Sequence, residues 1–385
     1  MDREKLKSII EEEVKSSLEE IKKTKESPKI FLKRGEENKM DKGLIFGRIV
    51  RALVAGKGDP ERAQCVVRKA WQDDGYNDEV IKALGADLGP SGGYLVPPQY
   101  SQELIELLTA KAVVRKMGAQ SLPLQGTLPI PKLARGATAY FIGENQDAPI
   151  SEPGFDQIVL SEKTLVAMVP ISNKLIRLSS PKADTVVRDD LINAIALKED
   201  AAFIRGSGTE YTPKGLLNWA ASGNKFGISG SAVANVVADL QKAINKLESA
   251  NVSMTKPGWL LHPRVKNFLM SLINDQANNQ YIFKDEMLKG ALLGIPFAVT
   301  TQIPANLGTG SNESEIYLVD FNECIIGDGI QFEIQVSTEA TYVASGNLVS
   351  AFSKDQTLVK ITSTVDFAVR HDEAVAVIQQ VTWGA

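Results

Sequence analysis

Apolar residues change their spacing several times along this chain, and each change marks an element. Leu6, Ile10, Val14, Leu18 and Ile21 recur every three or four residues among Glu11 to Glu13, Glu19, Glu20, Lys22 and Lys23. Such a narrow one-sided seam predicts a helix suited to a short coiled coil or a bundle with copies of itself. From Leu44 to Leu84 the pattern predicts two or three shorter helices. Asp59-Pro60 reads as a cap and first-turn proline, and Gly75 and Gly85 read as stops. Residues 83 to 97, ALGADLGPSGGYLVP, then interrupt regular structure with four glycines and two prolines. The first 82 residues are therefore expected to be separable from the body that follows.

That body opens with a helix over Gln102 to Ala110, followed by proline-punctuated strands as far as Leu133. Thr138 to Ser172 reads as an extended arm: TAYFI, the polar loop GENQDAPISEPG, then the alternating FDQIVLSEKTLVAMVPIS. A loop of that length between two strands marks a functional or projecting segment. Ser179 to Gly208 reads as one long helix, with Ser179 or Ser180 to cap it, Pro181 in its first turn and Gly206 to Gly208 to end it. Asp189, Asn193 and Asp200 share a narrow strip, while Val186, Leu191, Ile192, Ile195, Leu197, Phe203 and Ile204 cover most of the circumference. Such a helix needs neighbours on several sides. An amphipathic helix over 235–250, a strand at WLLH, a helix from Pro263 to Ile273 and strands near 296–300, 316–321, 332–336, 357–369 and 374–381 complete a mixed α+β chain. Nothing repeats with a period of 20 to 50 residues, which excludes a solenoid.

Composition narrows the function more than the fold. The 385 residues are 43% hydrophobic and 6% aromatic, as in ordinary globular proteins, and a net charge of -4 gives no general polyanion-binding signature. Charge is instead concentrated at the front, where 23 of the first 42 residues are charged. No run of eighteen apolar residues occurs, so neither a membrane span nor a secretory signal is expected. Cys65 and Cys324 lie in apolar surroundings and read as buried free thiols. His262 and His371 are the only histidines, and neither has a second ligand at metal-binding spacing, so both read as structural. The clusters GKGD, GSGTEYTPKG and GTGSNES do not join a strand to a helix as a phosphate cradle does and read as turns. The adjacent carboxylates Asp189-Asp190 and Asp372-Glu373 point apart. No catalytic, cofactor-binding or metal-binding residues are expected, and the chain does not read as an enzyme.

Four stretches together carry a resemblance. They are GGYLVPPQYSQELIELLTAKAVVRKMG, the arm GENQDAPISEPGFDQIVLSEKTLVAMVPIS, the helix end ALKEDAAFIRGSGTEYTPKGLLN, and WLLHPRVKNFLMSLINDQANNQYIF followed by LLGIPFAVTTQIP. In order and spacing they resemble the major capsid proteins of tailed bacteriophages with the HK97 fold, from about Ala83 to the C-terminus. The resemblance implies a helical scaffolding-like front segment over 1–82, an N-terminal arm and the start of a peripheral domain over 83–137, and an extended loop over 138–165 that lies on a neighbouring subunit. It further implies a peripheral domain with its spine helix over 166–222, an axial domain over 223–334, and peripheral strands with a return to the axial domain over 335–385. Hexamers and pentamers would then close an icosahedral shell around double-stranded DNA, in a virion assembled in host cytoplasm. The implied partners are portal protein, prohead protease and decoration proteins, with non-specific DNA contact and no membrane.

The front segment resembles one that relatives remove by proteolysis, which makes Lys82–Ala83, or a bond between it and Gly93, the expected cut, at the head of an extended stretch; the alternative is that residues 44–82, with their two caps and apolar faces, stay attached as part of the N-terminal arm. Some relatives also join subunits through an isopeptide bond between a loop lysine and an asparagine, assisted by a glutamate. Here no lysine occurs between Gly143 and Glu162, and the other two positions fall on Thr357 and Thr364, so a non-covalent shell is expected. An encapsulin-type compartment shares the fold but is expected to lack such a front segment; an uncharacterised cytosolic enzyme would need a polar pocket.

Overall fold

The computed structural model describes residues 44–70, 77–85, 94–135, 141, 147, 154–174, 181–274, 280–329, 332–344 and 346–385. The charged seam of 1–42, Gly75, the middle of the glycine-rich stretch, Ser179, Ser180 and nearly all of TAYFI with its polar loop lie outside them.

Helix α1 (Leu44–Ala55) is apolar around most of its surface, and Ile45, Phe46, Ile49, Val50, Leu53 and Val54 are all buried. It turns into α2 (Pro60–Ala70), where the Asp59 carboxylate accepts the Glu61 N–H at 3.0 Å and Pro60 takes the first helical position, as expected. Helix α3 (Asn77–Leu84) adds Val80, Ala83 and Leu84 to the same hydrophobic cluster. That cluster also holds Tyr94 of the short strand β1 (Tyr94–Leu95) and Leu104 and Leu108 of α4 (Pro98–Lys111). The expected separation of the first 82 residues from the body is thus overturned. The described helices between Leu44 and Leu84 are built into the core, and the change from charged to apolar composition falls at Leu44.

After the single turn of α5 (Val113–Lys116), strand β2 (Gln120–Leu124) leads into a hairpin of β3 (Thr127–Arg135) and β4 (Gly154–Ser161), which returns through β5 (Thr164–Ser172). The long helix follows as α6 (Pro181–Arg205), with Pro181 in its first position. Val187, Leu191, Ile192, Ile195 and Ala196 enter the cluster around α1. Phe203 and Ile204 enter a second cluster, where Phe203 stacks on Phe367 with centroids 4.9 Å apart. One helix therefore serves two cores, which its nearly all-round apolar pattern requires. Val186 and Leu197, expected to pack, are exposed instead. They share with Asp190 and Asn193 a strip spaced by four, three and four residues, the face that stays in solvent.

Two six-stranded sheets carry the rest. The second half of the chain supplies β6 (Lys225–Gly227), β7 (Pro257–Leu261), β8 (Ile273–Asn274), β9 (Gln280–Tyr281), β10 (Ala291–Leu292), β11 (Ile295–Val299), β12 (Ser314–Asp320), β13 (Cys324–Gly329), β14 (Glu333–Ser337), β15 (Thr341–Ala344), β16 (Asn347–Ser350), β17 (Gln356–Val369) and β18 (Val375–Val381). One sheet runs β1-β14-β17-β13-β2, with β5 also paired to β17; the other runs β10-β11-β7-β12-β18-β6. Strand β12 continues into β13 and β17 into β18 through single helical turns, and β12 pairs with β18 while β13 pairs with β17. A two-stranded ribbon therefore passes through both sheets and ties them together. Buried Asp320 fixes its bend by accepting the N–H groups of Thr255, Lys256 and Asn322 at 3.1, 2.9 and 3.1 Å. Cys324–Gly329, within the span 223–334, accordingly pairs in the first sheet. The second sheet packs its own core, centred on Trp259, Leu261, Ile316 and Trp383, against the amphipathic helix Val233–Ser249 and the helix Pro263–Ser271.

Candidate functional site

Two ribbons, rather than a pocket, carry exposed apolar side chains. In the hairpin, β3 and β4 pair in register from Thr127 opposite Ser161 to Leu133 opposite Phe155. Alternation sends Ile158 and Leu160 inward onto Leu124, Ile325 and Ala368. Phe155, 77% exposed, and Val159 lie on the opposite face in solvent. The arm was expected to leave the body at Thr138, yet the outgoing strand starts at Thr127 and carries Pro129 and Pro131. Proline is tolerated there because β3 pairs with β4 alone and keeps a free edge. The root of the hairpin is clamped. Glu162 accepts the Gly126 N–H at 2.6 Å, Ser161 N–H donates to Asp366 at 2.8 Å, and Lys163 Nζ lies 3.3 Å from Asp366 Oδ1.

A second ribbon, β15 and β16, leaves the first sheet between β14 and β17. Its inner face is anchored by the Tyr342 hydroxyl, which donates to Gln356 at 2.8 Å. Val343 and Leu348, directly opposite each other, point outward and are exposed, and Phe352, in the turn after the ribbon, is 79% exposed. Below the ribbon a hollow of about 440 Å³ is lined by Gly58, Met168, Val336, Leu358 and Lys360.

The densest polar cluster serves the fold. Arg115 of α5 reaches Glu199 of α6 through Nε at 2.9 Å and Asp328 of β13 through Nη1 at 2.8 Å, and its Nη2 bonds both. Ser121 donates to the same Asp328, and Asp200 accepts the N–H groups of Val113 and Val114 at 2.9 and 3.2 Å, capping α5. Burial holds the carboxyl groups of Glu199 and Asp200 above their ordinary range. The space beside the cluster is about 10 Å³, room for one water and no substrate. Sequence reading placed Asp200 on a polar strip and missed Arg115; their partners lie far along the chain, which no local pattern reports.

The remaining candidates are placed as follows. His262 accepts the Arg264 N–H at 3.1 Å and caps a helix, while His371 Nδ1 sits 2.8 Å from Glu323 Oε2. Cys324 is buried, and burial pushes its thiol up. Cys65, expected to be buried, is exposed because it lies on the outer side of α2, opposite the Ala63 and Val67 that pack inward. Among the described residues no group of three or more His, Cys, Asp or Glu is arranged to hold a metal, and no helix is long and apolar enough to cross a membrane. The Lys82–Ala83 bond, expected in an extended stretch, lies in the last turn of α3, and the buried Ala83 carbonyl accepts the Tyr94 hydroxyl at 2.5 Å.

Comparison with known proteins gives one answer. Residues 92–380 match the Phage capsid family. The chain is 38% identical over 360 residues to the major capsid protein of Klebsiella oxytoca phage phiKO2, covering 92% of this chain and 82% of that one. It is 25% identical over 377 residues to the capsid polyprotein of Pseudomonas phage PAJU2, of which the alignment covers 55%, against 90% of this chain. Among solved structures, the capsid of a native GTA particle superposes with a TM-score of 0.53 at 16% identity, over 70% of this chain and 90% of that one. A Mycobacterium phage Adephagia chain gives 0.52 at 17% identity, over 69% and 89%. At these identities the likeness of the solved structures is one of fold. With its two linked sheets, spine helix and projecting hairpin, the chain belongs to the phage capsid family and is a major capsid protein of HK97-like α+β fold.

Proposed function

We propose that this capsid protein assembles as hexamers and pentamers into an icosahedral shell around double-stranded phage DNA, with hairpin β3–β4 lying over a neighbouring subunit. One observation carries the proposal: both ribbons bear apolar side chains, Phe155 and Val159 on one and Val343 and Leu348 on the other, with Phe352 just after the second, that the described residues leave in solvent. Two-stranded ribbons with bare apolar faces are poor free-standing structures, and a second copy of the chain is the partner a self-assembling protein always has at hand. Many such small contacts become cooperative once the shell closes. The charged residues 1–42 act in this reading as a fused scaffold, and portal protein, prohead protease and decoration proteins meet the shell at its special positions in the host cytoplasm. Catalysis has no part in it. Negative-stain microscopy of the purified protein tests the proposal: closed shells of phage-head size are expected, whereas small compartments of encapsulin size or discrete oligomers would overturn it.

A further inference from the structure

Helices α1 to α3 sit in a part of the chain that the family match, starting at residue 92, does not include. Their place has to be read from their packing. Ten of the twelve residues of α1 are buried, Arg48 and Arg51 among them. A helix buried on every side belongs to an interior, not to a detachable appendage. Its neighbours in one continuous cluster are Leu191 and Ile192 of the spine helix, Leu104 of α4, Ile334 of β14 and Ile361 of β17. The turns are equally committed. A side chain on Gly56 would lie 2.6 Å from the Ala63 nitrogen, and one on Gly58 would lie 3.3 Å from the Val336 carbonyl of β14. At the far end, the buried Tyr94 hydroxyl ties the last turn of α3 to β1.

We propose that residues 44–84 remain in the assembled subunit as a permanent part of its core, so that any processing of the front segment ends at or before Leu44. The reasons concern both the product and the substrate of such a cut. Removing α1 to α3 uncovers the apolar side of the spine helix and the face of the first sheet at Ile334 and Ile361. The Lys82–Ala83 bond is helical, with Ala83 buried, whereas a protease draws an extended backbone into its cleft. The composition supports the same limit: 23 charged residues stand in 1–42, against two in α1.

This inference deepens the scaffold reading but is tested separately from it. Intact mass spectrometry of the capsid subunit from virions is expected to give a chain beginning at or before Leu44. A chain beginning anywhere from Ile45 to Gly93 would overturn the proposal. A full-length mass would remove processing of the scaffold and leave the permanence of 44–84 standing, so the two failures are distinguishable. A second measurement uses the full-length chain. Ile49→Asp is expected to lower the melting temperature by many degrees or abolish soluble subunit, while Ile10→Asp in the front seam leaves it within a degree or two. Equal melting temperatures for the two variants would overturn the proposal.

Discussion

Arg115 is bonded to two buried carboxylates, Glu199 and Asp328, which come from α6 and β13. Removing one partner of such a group leaves charge buried without compensation, which costs about 3–5 kcal/mol. Arg115→Leu is therefore expected to lower the urea midpoint of the subunit by that equivalent, and Ser121→Ala, which removes one donor to Asp328, by about 1 kcal/mol. Acidity adds a signed test. Burial raises Glu199 above its ordinary value of 4.5, so the folded chain holds that proton more tightly than the unfolded one. The stability this supplies is full below 4.5 and is lost as pH rises through the higher folded value. Glu199→Gln should flatten that fall, measured as the melting temperature of subunits across an acid-to-neutral series; an unchanged slope would show that Glu199 is not its source. Nothing near VVRK or LKED in the sequence signals this cluster, because Arg115 is 84 residues from Glu199 and 213 from Asp328.

At the scale of elements, the hairpin separates stability from assembly by the face on which a side chain lies. Leu160 is buried against Leu124 and Ile325, so Leu160→Ala should cost about 2–5 kcal/mol in the free subunit. Phe155 is in solvent, and Phe155→Ser should change subunit stability by no more than about 0.5 kcal/mol. Light scattering should nevertheless show the Phe155 variant assembling slowly or not at all, and normal assembly would remove Phe155 from the interface. The returning strand was legible because its β-branched and apolar run IVL is bounded by polar residues, and the spine helix because Pro181 and Gly206 punctuate it. The outgoing strand was not: Pro129 and Pro131 spoil the strand pattern, and only the free edge of β3 explains why they are allowed. Val186 and Leu197 show the same limit, since apolar character alone does not say which face of a helix a tertiary structure covers.

On the scale of the whole molecule, the glycine-rich stretch after Lys82 looks like a domain boundary, but the chain crosses it and stays in the same core, so the cluster joining α1 to the spine helix was hidden from sequence reading. A non-covalent shell is the outcome to expect from side chains already engaged. Lys163, at the root of the hairpin, lies 3.3 Å from both Ser161 Oγ and Asp366 Oδ1, Lys132 on β3 lies 3.7 Å from Asp156, and at the far end of β5 Thr357 donates to Asn173 at 2.6 Å, so the lysines on or beside the hairpin are already held by carboxylates of their own subunit. Boiled and reduced shells should run on a denaturing gel as monomer, and a ladder of multimers would refute this. The front segment gives the last test. The described apolar clusters are built from residues between Ile45 and Trp383. Deleting 2–42 should therefore leave the subunit melting temperature within a degree or two. A scaffold, in contrast, acts on how copies meet: its one-sided seam of Leu6, Ile10, Val14, Leu18 and Ile21 suits pairing between subunits and biases the curvature at which weak contacts close. The truncated protein should consequently form irregular or open shells in the microscope, and uniform closed shells of full-length diameter would rule out a scaffolding role for residues 1–42.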